Sequence, residues 1–341
     1  MTRDPNTTSR DPNAFQASYY AGIFLVAAAT LLLEITLTKI FSVIHYHYFA
    51  FLIVSTALFG YGFSGVFLSV FKWVEKVRKD RLLFSTALLF SITIVVAYRL
   101  ILATPLNLAD ASASPEQLTY LAVTYLLLAL PFFFSGMVIG ALLTYFSHHI
   151  NRLYFADLTG AGIGCFAIVV AVPLFGGSGT VLVAGIVAAL ATVAFAPRWS
   201  WNAAPVLLIV ILAWMIPQAE TYFPSIGHTE KRYFHESLET GDHWYTGWSP
   251  ASRIDVVRIQ RERAVLWIDG GTNQSFMRKA DRDETFDAPP EFVWKTVELP
   301  YALVKNPSVM IIGPGGGIEV GSALGYHPKS VTAVELDPLI V

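Results

Sequence analysis

The clearest chemical signal lies in the glycine-rich run Gly313-Pro314-Gly315-Gly316-Gly317 and in Glu335, which follows Gly315 by twenty residues. Glycines at that spacing let a ligand approach bare backbone and permit positive φ, which a Cβ disfavours. An acid at the end of the next strand, about twenty residues on, is placed to accept hydrogen bonds from two ribose hydroxyls. The elements that must hold these groups can be read around them. The apolar run Val309-Met310-Ile311-Ile312 predicts a buried strand, Ile318 to Gly325 a short helix, and Val331 to Glu335 a second strand.

The spacing also selects among cofactors. A dinucleotide fingerprint G-x-G-x-x-G would need glycine at 318 or 320, where the chain has Ile318 and Val320. The pattern present, G-x-G-x-G, suits a single nucleoside better. The expected cofactor is therefore a nucleoside such as S-adenosylmethionine.

Most of the chain has another character. Hydrophobic residues make up 54% and charged residues 14%, with nearly all of the apolar excess before Pro217. Apolar segments recur at 19–43, 48–71, 82–104, 118–146, 155–175, 179–196 and 201–217, against a need of about 20 residues for a membrane-spanning helix. About seven spans are expected after a disordered polar tail, 1–17. The single cysteine, Cys165, excludes an internal disulfide, and a net charge of −2 gives no case for nucleic acid. No metal site is expected. His45 with His47 and His148 with His149 read as interfacial histidines, since no third ligand converges on either pair.

Lysines and arginines in the short loops set orientation. Lys72, Lys76, Arg78, Lys79, Arg81, Arg152 and Arg198 fall in alternate loops, which puts the amino terminus inside. Seven crossings would then leave the soluble part outside, where adenosyl cofactors are not made. The expectation is an integral membrane protein with a cytoplasmic soluble part, at the expense of segment 201–217, which would lie along the interface or pass only partway. Glu34 and Lys39 lie within the first segment, where an ionised group costs about 2.5–3.5 kcal/mol; Arg99 is the candidate partner of Glu34. Gly136 with Gly140, and Ala156, Gly160 and Gly164, recur every four residues and predict close helix contacts.

In the soluble part, Arg253–Ile259 and Ala264–Ile268 read as a β-hairpin across the turn Gln260-Arg261-Glu262-Arg263, with Ile254, Val256 and Arg258 on one side of the first strand. Asp269-Gly270-Gly271-Thr272-Asn273-Gln274 reads as a loop, and the acidic stretch Asp281 to Glu291 as a solvated one. The order of hairpin, Leu266-Trp267-Ile268-Asp269-Gly270, linker, glycine turn and Val334-Glu335-Leu336-Asp337 resembles the spermidine synthase family, most of all its bacterial branch with an amino-terminal membrane domain. The resemblance covers about 248–341, and the bundle more loosely.

It implies that Gly313, Gly315, Gly317, Glu335 and Asp337 contact the cofactor. Glu319 would stand in for the acid of the family's G-G-G-D-G turn. Asp269 and Gly270, with Asn273 or Gln274, would border an amine substrate; the family's glutamine position falls on Asn273. The family's catalytic aspartate would lie beyond Val341, so no catalytic residue is named and residues 1–341 are expected to be inactive alone.

The expected architecture is a polytopic α-helical membrane bundle (18–217), a linker and small β-hairpin domain (218–290), and the start of a truncated Rossmann-like α/β domain (291–341). The expected activity is aminopropyl transfer from decarboxylated S-adenosylmethionine to an amine. Methyl transfer, and a transporter or scaffold with a nucleoside-sensing module, stand as alternatives. The bilayer and a small amine are the expected partners, with a homo-oligomer allowed.

Overall fold

The computed structural model describes residues 15–45, 49–72, 74–107, 114–224, 231–260, 263–271, 273–278, 299–301 and 303–340. The tail before 15, His47 and the acidic stretch 281–291 lie outside the described residues. The chain divides into two compact units, Met1–Glu230 and Lys231–Val341.

The first unit is helical: α1 (Ser18–Ile44), α2 (Ala50–Val70), α3 (Lys79–Ala103), α4 (Pro115–Tyr145), α5 (Ile150–Ala194), α6 (Ala203–Met215) and the short α7 (Ala219–Tyr222). Six stretches among the described residues are long and apolar enough to cross a membrane. Large apolar side chains such as Phe51, Leu58, Phe155 and Phe166 point outward, as expected where the surrounding solvent is lipid. The unit is that of an integral membrane protein.

Helix α5 is not straight. Gly176 has φ 69° and ψ −179°, a conformation open to glycine and costly for other residues. Pro173, one turn earlier, has no backbone N–H to give the ladder. The chain turns back here. Gly160 on the first limb lies against the Phe24 carbonyl, and Phe195, just past the second limb, lies against Gly22. Residues 35 apart thus meet α1 within a turn of each other, which a continuous helix about 50 Å long between them could not do. The second limb, 177–194, is about 27 Å long, so α5 supplies two passes.

Contacts at the two ends fix the direction of every pass. At one end Tyr19 meets Phe146 and Phe195, Trp201 meets Phe84, and the Lys79 ammonium sits 3.5 Å from the centre of the Tyr145 ring. At the other end Tyr98 bonds Ser178 at 3.0 Å, Ser178 donates to the Phe223 carbonyl at 2.9 Å, and His45 meets Phe49. Segment 201–217 therefore runs from the first end toward the second, with Leu212 beside Gly185 on the way. It is a full pass, contrary to the partial one expected. Its apolar length is extended by the turn 216–218 and by α7. Seven passes carry the chain from the lysine- and arginine-bearing end to the opposite end at Pro224.

The small-residue pattern holds. A Cβ on Gly160 or Gly164 would strike the carbonyl oxygen of Phe24 or Ala28 on α1, and one on Gly136 would strike Ser64 on α2. Between these seams Ser135 bonds both Thr30, at 2.6 Å, and Tyr61, at 3.0 Å. Glu34 and Arg99 make no ion pair with each other. Arg99 is exposed near the far end of α3.

The second unit opens with α8 (Arg232–Thr240), followed by an antiparallel sheet in the order β1 (Asp242–Trp248), β2 (Arg253–Gln260), β3 (Arg263–Ile268), β4 (Asn273–Arg278). The expected β2–β3 hairpin is its centre. Two strands extend it. Asn273 and Gln274 belong to β4, paired with Ile268 and Trp267, where a loop was expected, because the turn closes sooner at Asp269-Gly270-Gly271. Then β5 (Ser308–Ile312), α9 (Ile318–Gly325) and β6 (Ser330–Val334) form a parallel pair with its crossover helix.

Candidate functional site

The glycine turn joins the carboxyl end of β5 to α9. Gly313, Gly315 and Gly317 all have positive φ, at 71°, 54° and 84°, which accounts for the alternation of glycine in the sequence. The Gly317 N–H donates to the Pro314 carbonyl at 2.9 Å, closing a tight turn, and Gly317 caps α9. No atom lies within 4 Å of a Cβ built on Gly313 or Gly317. Backbone is open to a ligand there.

Glu335 follows β6 and reaches this turn. Its Oε2 accepts from the Gly315 N–H at 3.2 Å, and its Oε1 accepts from the N–H groups of Leu336 and Asp337 at 2.7 and 3.1 Å. A carboxylate has about four acceptor positions; three are used here. The glycine turn and the acid predicted from spacing are thus brought together. Glu319 sits in the first turn of α9, half-buried, where an acid complements the helix dipole.

Asp337 is engaged within the protein. It is buried, its Oδ2 accepts from the Ser249 and Ser252 hydroxyls at 2.6 and 2.5 Å, and its Oδ1 accepts from the Leu339 N–H at 3.0 Å. Ser249-Pro250-Ala251-Ser252 is the connection from β1 to β2. Asp337 therefore anchors the segment after β6 to the antiparallel sheet.

Asp269 holds Arg253, the residue that follows this connection. Asp269 has φ 50°, followed by Gly270 at 67° and Gly271 at 115°. The Asp269 N–H donates to the Arg253 carbonyl, and Asp269 Oδ1 accepts the Arg253 N–H, both at 2.9 Å. The Lys231 ammonium donates to the Asp269 carbonyl at 2.5 Å. Lys231 is buried, and desolvation pushes its pKa down to about 8 against an opposing pull from Asp269. Nothing in the sequence pattern singled out Lys231, which precedes an unremarkable polar helix. Segment 249–253 is thus where the Asp269 turn and the segment after β6 meet.

Behind it lies a buried ion pair. Arg253 grips Asp255 with Nε to Oδ2 at 2.8 Å and Nη2 to Oδ1 at 3.0 Å; Thr246 donates to Asp255 at 2.7 Å, and His243 stands 3.4 Å away. The Asp255 side chain is 0% exposed. Among the described residues no group of three or more metal-ligating side chains converges. No protein-family model matches the chain, and no curated protein or solved structure matches it either.

Proposed function

We propose that the second unit binds an adenosyl sulfonium cofactor and serves a membrane-anchored transferase of the spermidine synthase type. The observation that carries this reading is the Glu335 carboxylate held against a turn of three positive-φ glycines at the carboxyl ends of two parallel strands. Open backbone would receive the nucleoside and Glu335 the ribose hydroxyls. The reading takes this strand–turn–helix–strand arrangement as the start of a Rossmann-like domain.

In aminopropyl transfer the amine lone pair forms a bond to the carbon beside sulfur, the C–S bond breaks, and a neutral thioether leaves. The amine must be uncharged and in line, and its proton goes to a base once the new bond forms. Asp269 and Gly270 would border the amine, with Lys231 fixing the loop's carbonyl.

Equilibrium binding tests the reading. Decarboxylated S-adenosylmethionine should bind the purified chain, and Glu335→Ala should weaken it by about tenfold or more, which is about 1.4 kcal/mol. Preference for the carboxylate-bearing cofactor would favour methyl transfer. Binding unchanged by Glu335→Ala would defeat the site itself.

In this proposal the soluble unit faces the cytoplasm of a bacterial inner membrane, where such cofactors are made. Seven passes then put the cationic loops outside, against the usual bias, so sidedness is a sharp test. In a Cys165→Ser chain, Glu239→Cys and Lys76→Cys, both at exposed positions, should label from opposite sides of intact cells. Labelling from one side would remove the seventh pass. Labelling of Glu239→Cys from outside would remove the cytoplasmic cofactor, and with it the transferase reading.

A further inference from the structure

An open groove of about 440 Å³ runs along the outer face of the α1–α5 pair at the cationic end, floored by Phe24, Phe155, Ala156 and Thr159 and edged by Tyr20 and Arg152. Its size is that of a small-molecule site. Its walls are almost wholly apolar, and Arg152 supplies the formal charge at its mouth. The Arg152 guanidinium is exposed and forms no hydrogen bond or ion pair among the described residues.

The groove's shape follows from the helix seam. Deeper along the pair, Gly160 and Gly164 bring α5 against the α1 backbone and close the gap. Toward the end, Phe155 stands 72% exposed and lines the groove. Tyr20 is fixed by its hydroxyl's hydrogen bond with His149 Nδ1 at 3.1 Å, and His149 stacks on Phe15 with centroids 3.9 Å apart. One wall is therefore rigid. Arg152 lies in the first turn of α5. Asp157 lies five residues on, about 140° around the helix, and does not share the Arg152 face.

We propose that this groove seats one anionic phospholipid, its phosphate on Arg152 and an acyl chain along Phe24, Phe155 and Thr159. An apolar trough ending in an exposed cation at the first turn of a membrane-length helix, without a partner among the described residues, matches a lipid's chain and phosphate together. A soluble anion would use the arginine and leave the trough unfilled. The charge belongs to the phosphate, so a zwitterionic lipid, whose headgroup brings its own cation, binds more weakly.

Native mass spectrometry of the full chain, released from micelles containing phosphatidylglycerol and phosphatidylcholine with the same acyl chains, tests the assignment. One phosphatidylglycerol should be retained per chain. Retention should fall at least tenfold in Arg152→Gln and clearly in Phe155→Ala, and should persist in Lys76→Gln, which removes a cation at the same end but outside the groove. Equal retention of the two lipids, or retention unchanged in Arg152→Gln, would overturn the proposal. Loss in Arg152→Gln with none in Phe155→Ala would make this a headgroup contact and overturn the seating of the chain. Displacement of the lipid by millimolar inorganic phosphate would overturn the choice of a lipid occupant.

Discussion

Replacing Gly160 with leucine should abolish folded membrane unit, while the same replacement two residues later, at Gly162, should leave stability within about 0.5 kcal/mol. Both glycines lie on the first limb of α5, and both substitutions add the same apolar surface to a helix in lipid. They differ in what a side chain would meet. At Gly160 the nearest atoms are the carbonyl oxygen, carbonyl carbon and Cα of Phe24, whereas at Gly162 nothing lies within 4 Å. Backbone cannot rotate aside as a side chain can. Relief must come from separating α1 from α5, the pair that also holds the Gly164–Ala28 approach one turn deeper. Overpacking of an ordinary core costs about 1–3 kcal/mol; here two helices would also lose their close contact, the main source of helix association in lipid. Thermal unfolding in detergent and the yield of monodisperse chain read the difference. Equal behaviour of Gly160→Leu and Gly162→Leu would mean that the helix seam is elsewhere.

That contrast also marks how far the sequence could be read. Every-fourth small residues announce a seam because only glycine and alanine allow helix axes to approach so closely, and the pattern at Ala156, Gly160 and Gly164 named the correct face. The turn at Gly176 was legible too, since the apolar segments 155–175 and 179–196 part there. The glycine turn and α9 fell where expected because positive φ and helix initiation are local properties. The full passage of 201–217 was not legible, because its length is completed by the turn and α7 beyond it. Strand β1 escaped notice as well. Its residues Asp242 to Tyr245 are exposed, so no alternation marks them.

Which face of β2 is buried was not legible, for a physical reason. Alternation set Ile254 and Val256 on one side, and Ile254 is fully buried, yet Arg253, Asp255 and Val257 on the other face are buried as well, while Val256 is only half-buried. A charged pair reads as solvent-facing in any hydropathy pattern, because the compensation that lets it be buried is a contact between two side chains. The same limit hid Lys231 and the two serines on Asp337. Each of these groups is buried through a bond to a residue remote in sequence, 38 positions away for Lys231 and Asp269, and 88 for Ser249 and Asp337.

Replacing Asp255 with alanine should unfold or loosen the antiparallel sheet by about 3–5 kcal/mol, the cost of breaking a buried ion pair from one side. The Arg253 side chain is 5% exposed and would lose a bidentate carboxylate, keeping the Trp248 ring, 5.4 Å from its guanidinium carbon to the centroid. Thr246 would lose its acceptor on the same carboxylate. Against a typical domain stability of about 5–15 kcal/mol, that is a large fraction for a four-stranded sheet. Removing both charges with Arg253→Met and Asp255→Leu should recover much of the loss, since no charge is then left buried without its partner. Limited proteolysis and hydrogen exchange over 242–268 in the full chain measure both variants. The effect should reach the candidate site without touching Glu335. The Arg253 backbone holds Asp269 through two hydrogen bonds, and Ser252 beside it holds Asp337, two residues from Glu335. Loosening this connection should therefore weaken nucleoside binding in Asp255→Ala and restore it in the double variant. Full binding by an Asp255→Ala chain whose sheet exchanges freely would show that the glycine turn and Glu335 hold their geometry without the sheet.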